Sequence, residues 1–384
     1  MNDIISYVKK YKFESFDKKP FNEIDSLVLC QLVYMKFEVV AAALGKDEIT
    51  LMDVNSSPKR DELFFYEKYR ESNTALFEAL IESKRFSGLK ITNIRTQMLK
   101  DRETQFCAMT FVLPYDIVYV AFRGTDETIT GWQEDFSLSL RRPNIGQKLA
   151  ASYLTEAFGQ ISEKIIVGGH SKGGNLAVFA SMNLPLEAQK RIVTIYNHDG
   201  PGFRPEIMEK YHYDRIAHLI KKYIPRASIV GLLLELGKDY KVVEASGFGP
   251  AQHNPFMWET GEDKFVYTDE MNKGPVVWDG AFNDWMLALD DESAEEFVDV
   301  VVELLDGLDA ENVMELSLDN LVSFQVFYEK MKKNDPSISE FLSKNWQLFK
   351  TATKHKAVET IQADVEETRQ WIQGKTQNKK SKKH

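Results

Sequence analysis

Hydrophobic residues along the chain follow two different periodicities. Between residues 25 and 37 they recur at three- and four-residue spacing, which predicts a largely buried helix. From about Ile91 the apolar runs become short, rich in β-branched and aromatic residues, and broken by polar pairs or by Pro114, as is typical of strands. The pattern predicts three successive strands at residues 91–98, 106–113 and 117–122.

Helical and strand-like segments alternate after this point. Helical spacing at residues 146–161 and 175–182 is interleaved with apolar strands at 164–167 and 191–196. A further strand-like segment lies at residues 240–244. Such alternation predicts a parallel α/β sheet with crossover helices over roughly residues 115–200.

Acidic residues dominate the chain after residue 285. Residues 290–319 hold twelve Asp and Glu and not a single Lys or Arg, and residues 338–372 have the spacing of one or two long amphipathic helices. We therefore predict a first domain at residues 1–285, a C-terminal helical appendage at 286–373 and a disordered basic tail at 374–384.

Composition and charge narrow the class of protein. A hydrophobic fraction of 43% is ample for a large core, and a net charge of −10 disfavours a nucleic-acid partner. The two cysteines are far apart, and neither a signal-peptide pattern nor a membrane-spanning apolar run is visible. We expect a cytoplasmic protein without stable membrane insertion.

A candidate nucleophile lies where the strand at 164–167 meets the helix at 175–182. Residues 165–175 read IIVGGHSKGGN, so Ser171 is the centre of a G-x-S-x-G pentapeptide between strand and helix. The sharp turn that exposes such a serine leaves room only for glycine two residues to either side, where this chain has Gly169 and Gly173. The alternative is a glycine-rich structural turn. Phosphate-binding glycine motifs are absent from the sequence.

Acyl transfer also needs backbone N–H donors for the developing oxyanion. The residue after the nucleophile, Lys172, supplies one. The strand at 117–122 ends in a polar loop that begins RGTD, where ligands are expected in a parallel sheet, and we assign Thr125 in this loop as the second donor.

These motifs together resemble the class 3 lipase branch of the α/β hydrolases. The resemblance rests on VAFRGTD at 120–126, Trp132, Asp135 and GHSKGG at 169–174, and it covers roughly residues 91–260. The segments HDGPGF at 198–203 and QHNPFMW at 252–258 are similar to a bacterial branch of that fold. The resemblance implies an α/β-hydrolase fold, a lid at about 128–143, and catalytic groups in the order Ser, acid, His.

That order places the general base after Ser171, and six histidines follow it. His253 is the best candidate, because it follows a strand-like segment and a glycine-rich loop. His170 and His198 adjoin other site residues, and we expect them to pack or hydrogen-bond locally. The six histidines after Ser171 are His198, His212, His218, His253, His355 and His384.

Several residues are candidates for the acid. The position where class 3 lipases carry aspartate holds Ser228 here, and a hydroxyl cannot stabilise an imidazolium as a carboxylate does. Asp199, just beyond the strand at 191–196, is a candidate replacement, although Asp-Gly-Pro-Gly is also strong turn chemistry. Glu235 and Asp239 remain alternatives. Lys172 is a second departure, because lipases usually have an apolar residue there.

Two hypotheses for the function follow. The first is a serine hydrolase of the lipase or esterase type, which cleaves small-molecule or lipid carboxylic esters through an acyl-enzyme on Ser171 without cofactor or metal. The second is a catalytically weak or inactive α/β-hydrolase-fold protein that serves as a binding or scaffolding module. The sequence leaves the ester specificity, any protein partner and the oligomeric state open.

Overall fold

The computed structural model describes residues 2–64, 69–99, 104–124, 143–160, 164–228, 230–237, 239–247, 249–269, 271, 283 and 287. Up to Met271 these residues belong to one compact unit. The predicted tail at 374–384 and, apart from Leu287, the predicted appendage at 286–373 lie outside the described residues.

The described residues form a single mixed sheet of nine strands that lie side by side in chain order. The first four strands pair antiparallel, β4 to β8 pair parallel, and β9 returns antiparallel to β8. The strands are β1 (Glu48–Thr50), β2 (Lys90–Leu99), β3 (Thr104–Leu113), β4 (Ile117–Phe122), β5 (Lys164–His170), β6 (Ile192–His198), β7 (Ile220–Pro225), β8 (Tyr240–Val243) and β9 (Tyr267–Thr268).

Helices precede the sheet and connect its parallel strands. The α-helices of the described residues are α1 (Ile4–Lys10), α2 (Glu23–Leu32), α3 (Phe37–Leu44), α4 (Leu51–Asn55), α5 (Arg70–Ile81), α6 (Ile145–Gln160), α7 (Lys172–Met182), α8 (Leu186–Gln189) and α9 (Pro205–Lys210). Short 3-10 turns lie at Arg60–Leu63, Tyr213–Arg215, Ala217–Leu219, Val230–Leu232, Gly249–His253 and Pro255–Met257.

This topology confirms the predicted α/β-hydrolase fold with helices flanking a sheet. The sheet is mixed rather than mostly parallel, since four of its eight strand pairs in the described residues are antiparallel. The predicted helix over residues 25–37 differs, because α2 ends at Leu32 and a separate helix begins at Phe37. The backbone N–H of Lys36 donates to the carbonyl oxygen of Leu63 at 3.1 Å, so it is not used within a continuing helix. Both helices bury apolar residues, and the hydrophobic spacing therefore does not reveal the break.

The two faces of the sheet are covered by separate hydrophobic clusters. Along β4, Val118, Val120 and Phe122 pack into the cluster that includes α6 and α7. Tyr119 and Ala121 point the other way, into the cluster that includes α1 and α2. This two-residue alternation with both faces buried is what a central strand of an α/β sheet requires.

Helix α2 lies in the core, and all ten of its residues are buried. None of the described helices is by itself long and apolar enough to cross a membrane; α2 and α3 meet the length and composition test only together, and they are bent by 67°. Burial against the sheet accounts for the apolar character of α2.

A polar network links α2 to the sheet within this apolar layer. The Ser26 hydroxyl lies 2.7 Å from the Tyr119 hydroxyl and 2.8 Å from Nε2 of His198, the last residue of β6. The His198 ring is nearly parallel to the rings of Tyr196 and Tyr223, with centroids 5.8 and 5.5 Å away, and is fully buried. Burial lowers the pKa of His198 to about 3, so the imidazole is neutral in the fold at neutral pH.

A neutral buried histidine makes stability depend on pH. Between its folded pKa of about 3 and the ordinary value of 6.5, the unfolded chain binds a proton at His198 that the fold does not, so stability falls as the pH falls. We expect the difference in unfolding free energy between wild type and His198→Gln to shrink by about 3 kcal/mol from pH 6.5 to pH 4. Urea denaturation at a series of pH values measures it.

The matched control is His218→Gln, which removes an exposed histidine by the same substitution. Its stability difference from wild type is expected to stay constant over this range. A pH-independent difference for His198→Gln would contradict a neutral, buried His198.

Candidate active site

A single residue, Ser171, joins β5 to α7. Its backbone has φ 59° and ψ −133°, a left-handed conformation that a residue with a side chain rarely adopts. The turn is held from outside, because the Ser171 N–H donates to the carbonyl oxygen of His198 at 2.9 Å and the Gly174 N–H donates to the Ser171 carbonyl oxygen at 2.8 Å. A strained residue of this kind costs about 1–3 kcal/mol and persists only where its surroundings fix it.

Glycine is required on both sides of the serine. A Cβ at Gly169 would lie 2.1 Å from the backbone of Gly173, and a Cβ at Gly173 would lie 2.1 Å from the carbonyl oxygen of Phe122 at the end of β4. These are backbone atoms, which cannot move away as a flexible side chain can. The predicted sharp turn with glycine clearance is therefore observed in the structure.

Asp199 and His253 are in direct contact. Nδ1 of His253 lies 2.6 Å from Oδ2 of Asp199. The carboxylate is fully buried, whereas the imidazole is partly exposed. Asp199 follows β6 directly, has φ 56°, and donates its N–H to the carbonyl oxygen of Tyr223 at 2.8 Å. Its other oxygen, Oδ1, accepts from the Gly231 N–H at 3.0 Å.

This pair lies beside the turn that carries Ser171. A Cβ at Gly200, the residue after Asp199, would lie 2.6 Å from the Ser171 carbonyl oxygen. The rings of His253 and His170, the residue before Ser171, are 4.6 Å apart. The contact to Asp199 uses Nδ1 and leaves Nε2 for a second partner. Among the described residues the acid and the base are hydrogen-bonded, but the base and the Ser171 hydroxyl are not.

His170 connects the base to the N-terminal helices. Its Nε2 lies 2.8 Å from the carbonyl oxygen of His253, and its Nδ1 lies 3.3 Å from the Tyr34 hydroxyl. Burial, together with the neighbouring His253, holds the pKa of His170 well below the ordinary value, so the ring is neutral. A neutral ring with these partners donates from Nε2 to the carbonyl oxygen and accepts from Tyr34 at Nδ1.

Tyr34 was not found by sequence reasoning. It lies between α2 and α3, where its hydroxyl would be 2.1 Å from a Cβ at Gly124. The sequence carries no signal for this contact, since the two residues are brought together only when α2 packs against the sheet. His170 was expected to interact locally; its partners are instead distant in sequence.

The oxyanion donors can be placed only in part. Lys172 is the first residue of α7, where a backbone N–H has no intrahelical acceptor. Thr125, with the predicted lid up to residue 142, lies outside the described residues. Gly124 just before it is next to the turn, because a Cβ there would lie 3.1 Å from Cβ of Ser171. The end of β4 therefore runs beside the serine.

The two alternative acids, Glu235 and Asp239, form no hydrogen bond to His253 in the described structure. Glu235 forms an ion pair with the ammonium group of Lys222, and Asp239 is exposed. Ser228 lies against the acid instead, with its hydroxyl 2.5 Å from Oδ2 of Asp199. Nowhere in the described ranges do three His, Cys, Asp or Glu side chains group closely enough to hold a metal ion.

Comparison with solved structures finds several lipases of low sequence identity. A deletion mutant of the Rhizomucor miehei lipase in its propeptide complex is 15% identical; the match covers 57% of this chain and 65% of that lipase, with a TM-score of 0.36. A mutant of MDLA from Penicillium cyclopium is 14% identical, over 65% of this chain and 86% of that one, with a TM-score of 0.39. Lipase II from Rhizopus niveus is 16% identical; the match covers 64% of this chain and 83% of that lipase, with a TM-score of 0.34.

In sequence, the chain matches none of the curated proteins with which it was compared. The family described as Mbeg1-like matches residues 80–303, more than half of the chain, and the match includes Ser171, Asp199 and His253. The chain belongs to the Mbeg1-like family.

Proposed function

We propose that this protein is a serine hydrolase that cleaves small-molecule or lipid carboxylic esters through an acyl-enzyme on Ser171. The observation that carries the proposal is the hydrogen bond between buried Asp199 and His253, beside a serine held in a strained strand-to-helix turn. A serine, a histidine and a carboxylate in this relation form a general device for acyl transfer on unrelated folds.

In the first step, Ser171 Oγ forms a bond to the carbonyl carbon of the ester and passes its proton to Nε2 of His253. The bond from that carbon to the alcohol oxygen then breaks, and the alcohol leaves with the proton. In the second step, a water oxygen bonds to the acyl carbon and the water proton moves to Nε2 of His253. The bond from that carbon to Ser171 Oγ then breaks, Oγ takes the proton back from Nε2, and the carboxylic acid is released.

Asp199 supports this sequence from the other side of the ring. Its contact with Nδ1 favours the tautomer that leaves Nε2 unprotonated, and the carboxylate stabilises the imidazolium that forms during each step. Serine hydroxyl and imidazole are often too far apart for a hydrogen bond until substrate binds, so closure of the pair belongs to the substrate complex.

The oxyanion of the tetrahedral intermediate lies against backbone donors in this proposal. The Lys172 N–H at the N-terminus of α7 is one donor, favoured also by the helix dipole. Thr125 is the proposed second donor, since the adjacent Gly124 borders the serine.

Labelling with a fluorophosphonate probe tests the proposal. Ser171 Oγ is expected to form a bond to phosphorus as fluoride leaves and the serine proton is lost, seen as the probe mass less HF on a peptide containing Ser171. Ser171→Ala should abolish labelling. His253→Gln and Asp199→Asn should slow it by about 10² to 10⁴-fold, the range for loss of a general base or of the group that orients it.

The control is Ser246→Ala, which removes a serine hydroxyl from the loop that leads to His253 and should label at the wild-type rate. If the folded wild type does not label, or labels at another residue, the hydrolase proposal fails and the binding-module hypothesis takes its place.

The contact between His170 and the base gives a second prediction. His170→Leu removes the donor to the His253 carbonyl oxygen and should slow labelling about tenfold, which corresponds to one backbone hydrogen bond. His170→Gln keeps an N–H donor near the position of Nε2 and should retain most of the rate. Equal rates for the two variants would show that this hydrogen bond does not position His253.

A further inference from the structure

A serine hydroxyl shares the carboxylate oxygen that binds the proposed base. Ser228 Oγ lies 2.5 Å from Oδ2 of Asp199, and Nδ1 of His253 lies 2.6 Å from the same oxygen. Ser228 and Asp199 are both fully buried. Because an ionised carboxylate only accepts, the hydroxyl is the donor.

The backbone around Ser228 fixes this contact. The Ser228 N–H donates to the carbonyl oxygen of Pro225, the last residue of β7, at 3.0 Å. The preceding N–H, from Ala227, donates to Oε1 of Gln252 at 2.9 Å. Gln252 is the neighbour of His253 in sequence. One turn after β7 therefore contacts both the acid and the loop that carries the base.

We infer that Ser228 is a positioning residue for the acyl-transfer reaction, because it holds the Asp199 carboxylate aimed at His253. The inference rests on the proposed function. Asp199 has three donors in the described structure: Ser228 and His253 on Oδ2, and the Gly231 N–H on Oδ1. A buried carboxylate needs such donors, since each one removed leaves charge uncompensated in a medium of low dielectric.

Loss of the Ser228 donor has a defined electrostatic consequence. The negative charge on Oδ2 is then shared with His253 alone, so the protonated form of the imidazole is favoured in the free enzyme. A base that holds its proton more tightly is active only at higher pH. The carboxylate also loses one of two restraints on Oδ2, which weakens the alignment of the ring.

Other charged groups lie on the elements packed around this pair. His198 precedes Asp199 on β6, and His170 lies against the His253 ring; both are held neutral by burial. On the side of β7 and β8, Arg226 forms an ion pair with Glu244. Charged groups on the neighbouring elements also include Lys222 and Glu235, which pair with each other, Glu23 on α2, which accepts from the Tyr223 hydroxyl, Arg123 directly after β4, and Lys172 on α7. The Ser228 substitution leaves all of these unchanged.

The experiment is a double-mutant cycle on the rate of fluorophosphonate labelling. Ser228→Ala should slow the wild type about tenfold, as loss of one hydrogen bond to a charged group predicts. In the Asp199→Asn background the same substitution should change the rate less than about twofold, because a residue that acts through Asp199 has nothing left to act on. Ser228→Thr keeps the hydroxyl and should recover most of the rate.

The pH dependence gives a readout that a merely structural role would not move. The acid limb of the labelling rate should shift upward by about 0.5 pH unit in Ser228→Ala and stay in place in Ser228→Thr and in Ser246→Ala. Thermal melting identifies any variant that fails to fold. If Ser228→Ala does not fold, Ser228→Thr is compared with the wild type instead.

The outcomes separate the two claims. A wild type that does not label overturns the hydrolase proposal and, with it, the role of Ser228. If the wild type labels at Ser171 but Ser228→Ala has the wild-type rate and acid limb, or if its effect is undiminished with Asn at position 199, the inference about Ser228 is wrong and the hydrolase proposal stands.

Discussion

Direct contact between backbone segments around Ser171 is the constraint on which the rest of the site depends. The backbone of Gly173 lies against the carbonyl oxygen of Phe122, and that of Gly200 against the carbonyl oxygen of Ser171. The ends of β4, β5 and β6 are thereby held at the same point. The strained conformation of Ser171 persists because its N–H is bound by β6 and its carbonyl by α7.

The acid and the base are held by elements that this contact brings into place. Asp199 follows β6 directly, so the register that fixes the Ser171 turn also fixes the carboxylate. His253 lies on a loop after β8, and its ring is located by Asp199 on one side and His170 on the other. A partly exposed loop residue gains its orientation from two buried partners, which is how a loop can carry a general base.

The N-terminal helices belong to the same arrangement. Ser26 on α2 hydrogen-bonds His198 on the face of the sheet that α2 covers. Tyr34, just after α2, hydrogen-bonds His170, the residue before Ser171. Both histidines are buried and neutral. They serve as neutral hydrogen-bonding groups next to Asp199 and Ser171, and the helices that precede the sheet therefore support the site as well as the core.

The sequence by itself determined six of the nine described strands, the crossover helices and the sharp turn at Ser171, because hydrophobic periodicity and glycine clearance are local properties of the chain. It did not indicate β1, β7 or β9. The sequence also indicated Asp199 and His253 as candidates for the acid and the base, with the help of the Ser, acid, His order that the family resemblance implied. It did not determine the break after α2, the contact of Tyr34 with His170, or the shared oxygen between Ser228 and His253. Those contacts join residues far apart in sequence, and only the tertiary structure decided them, because the packing of α2 and the register of β6 to β8 fix which side chains meet.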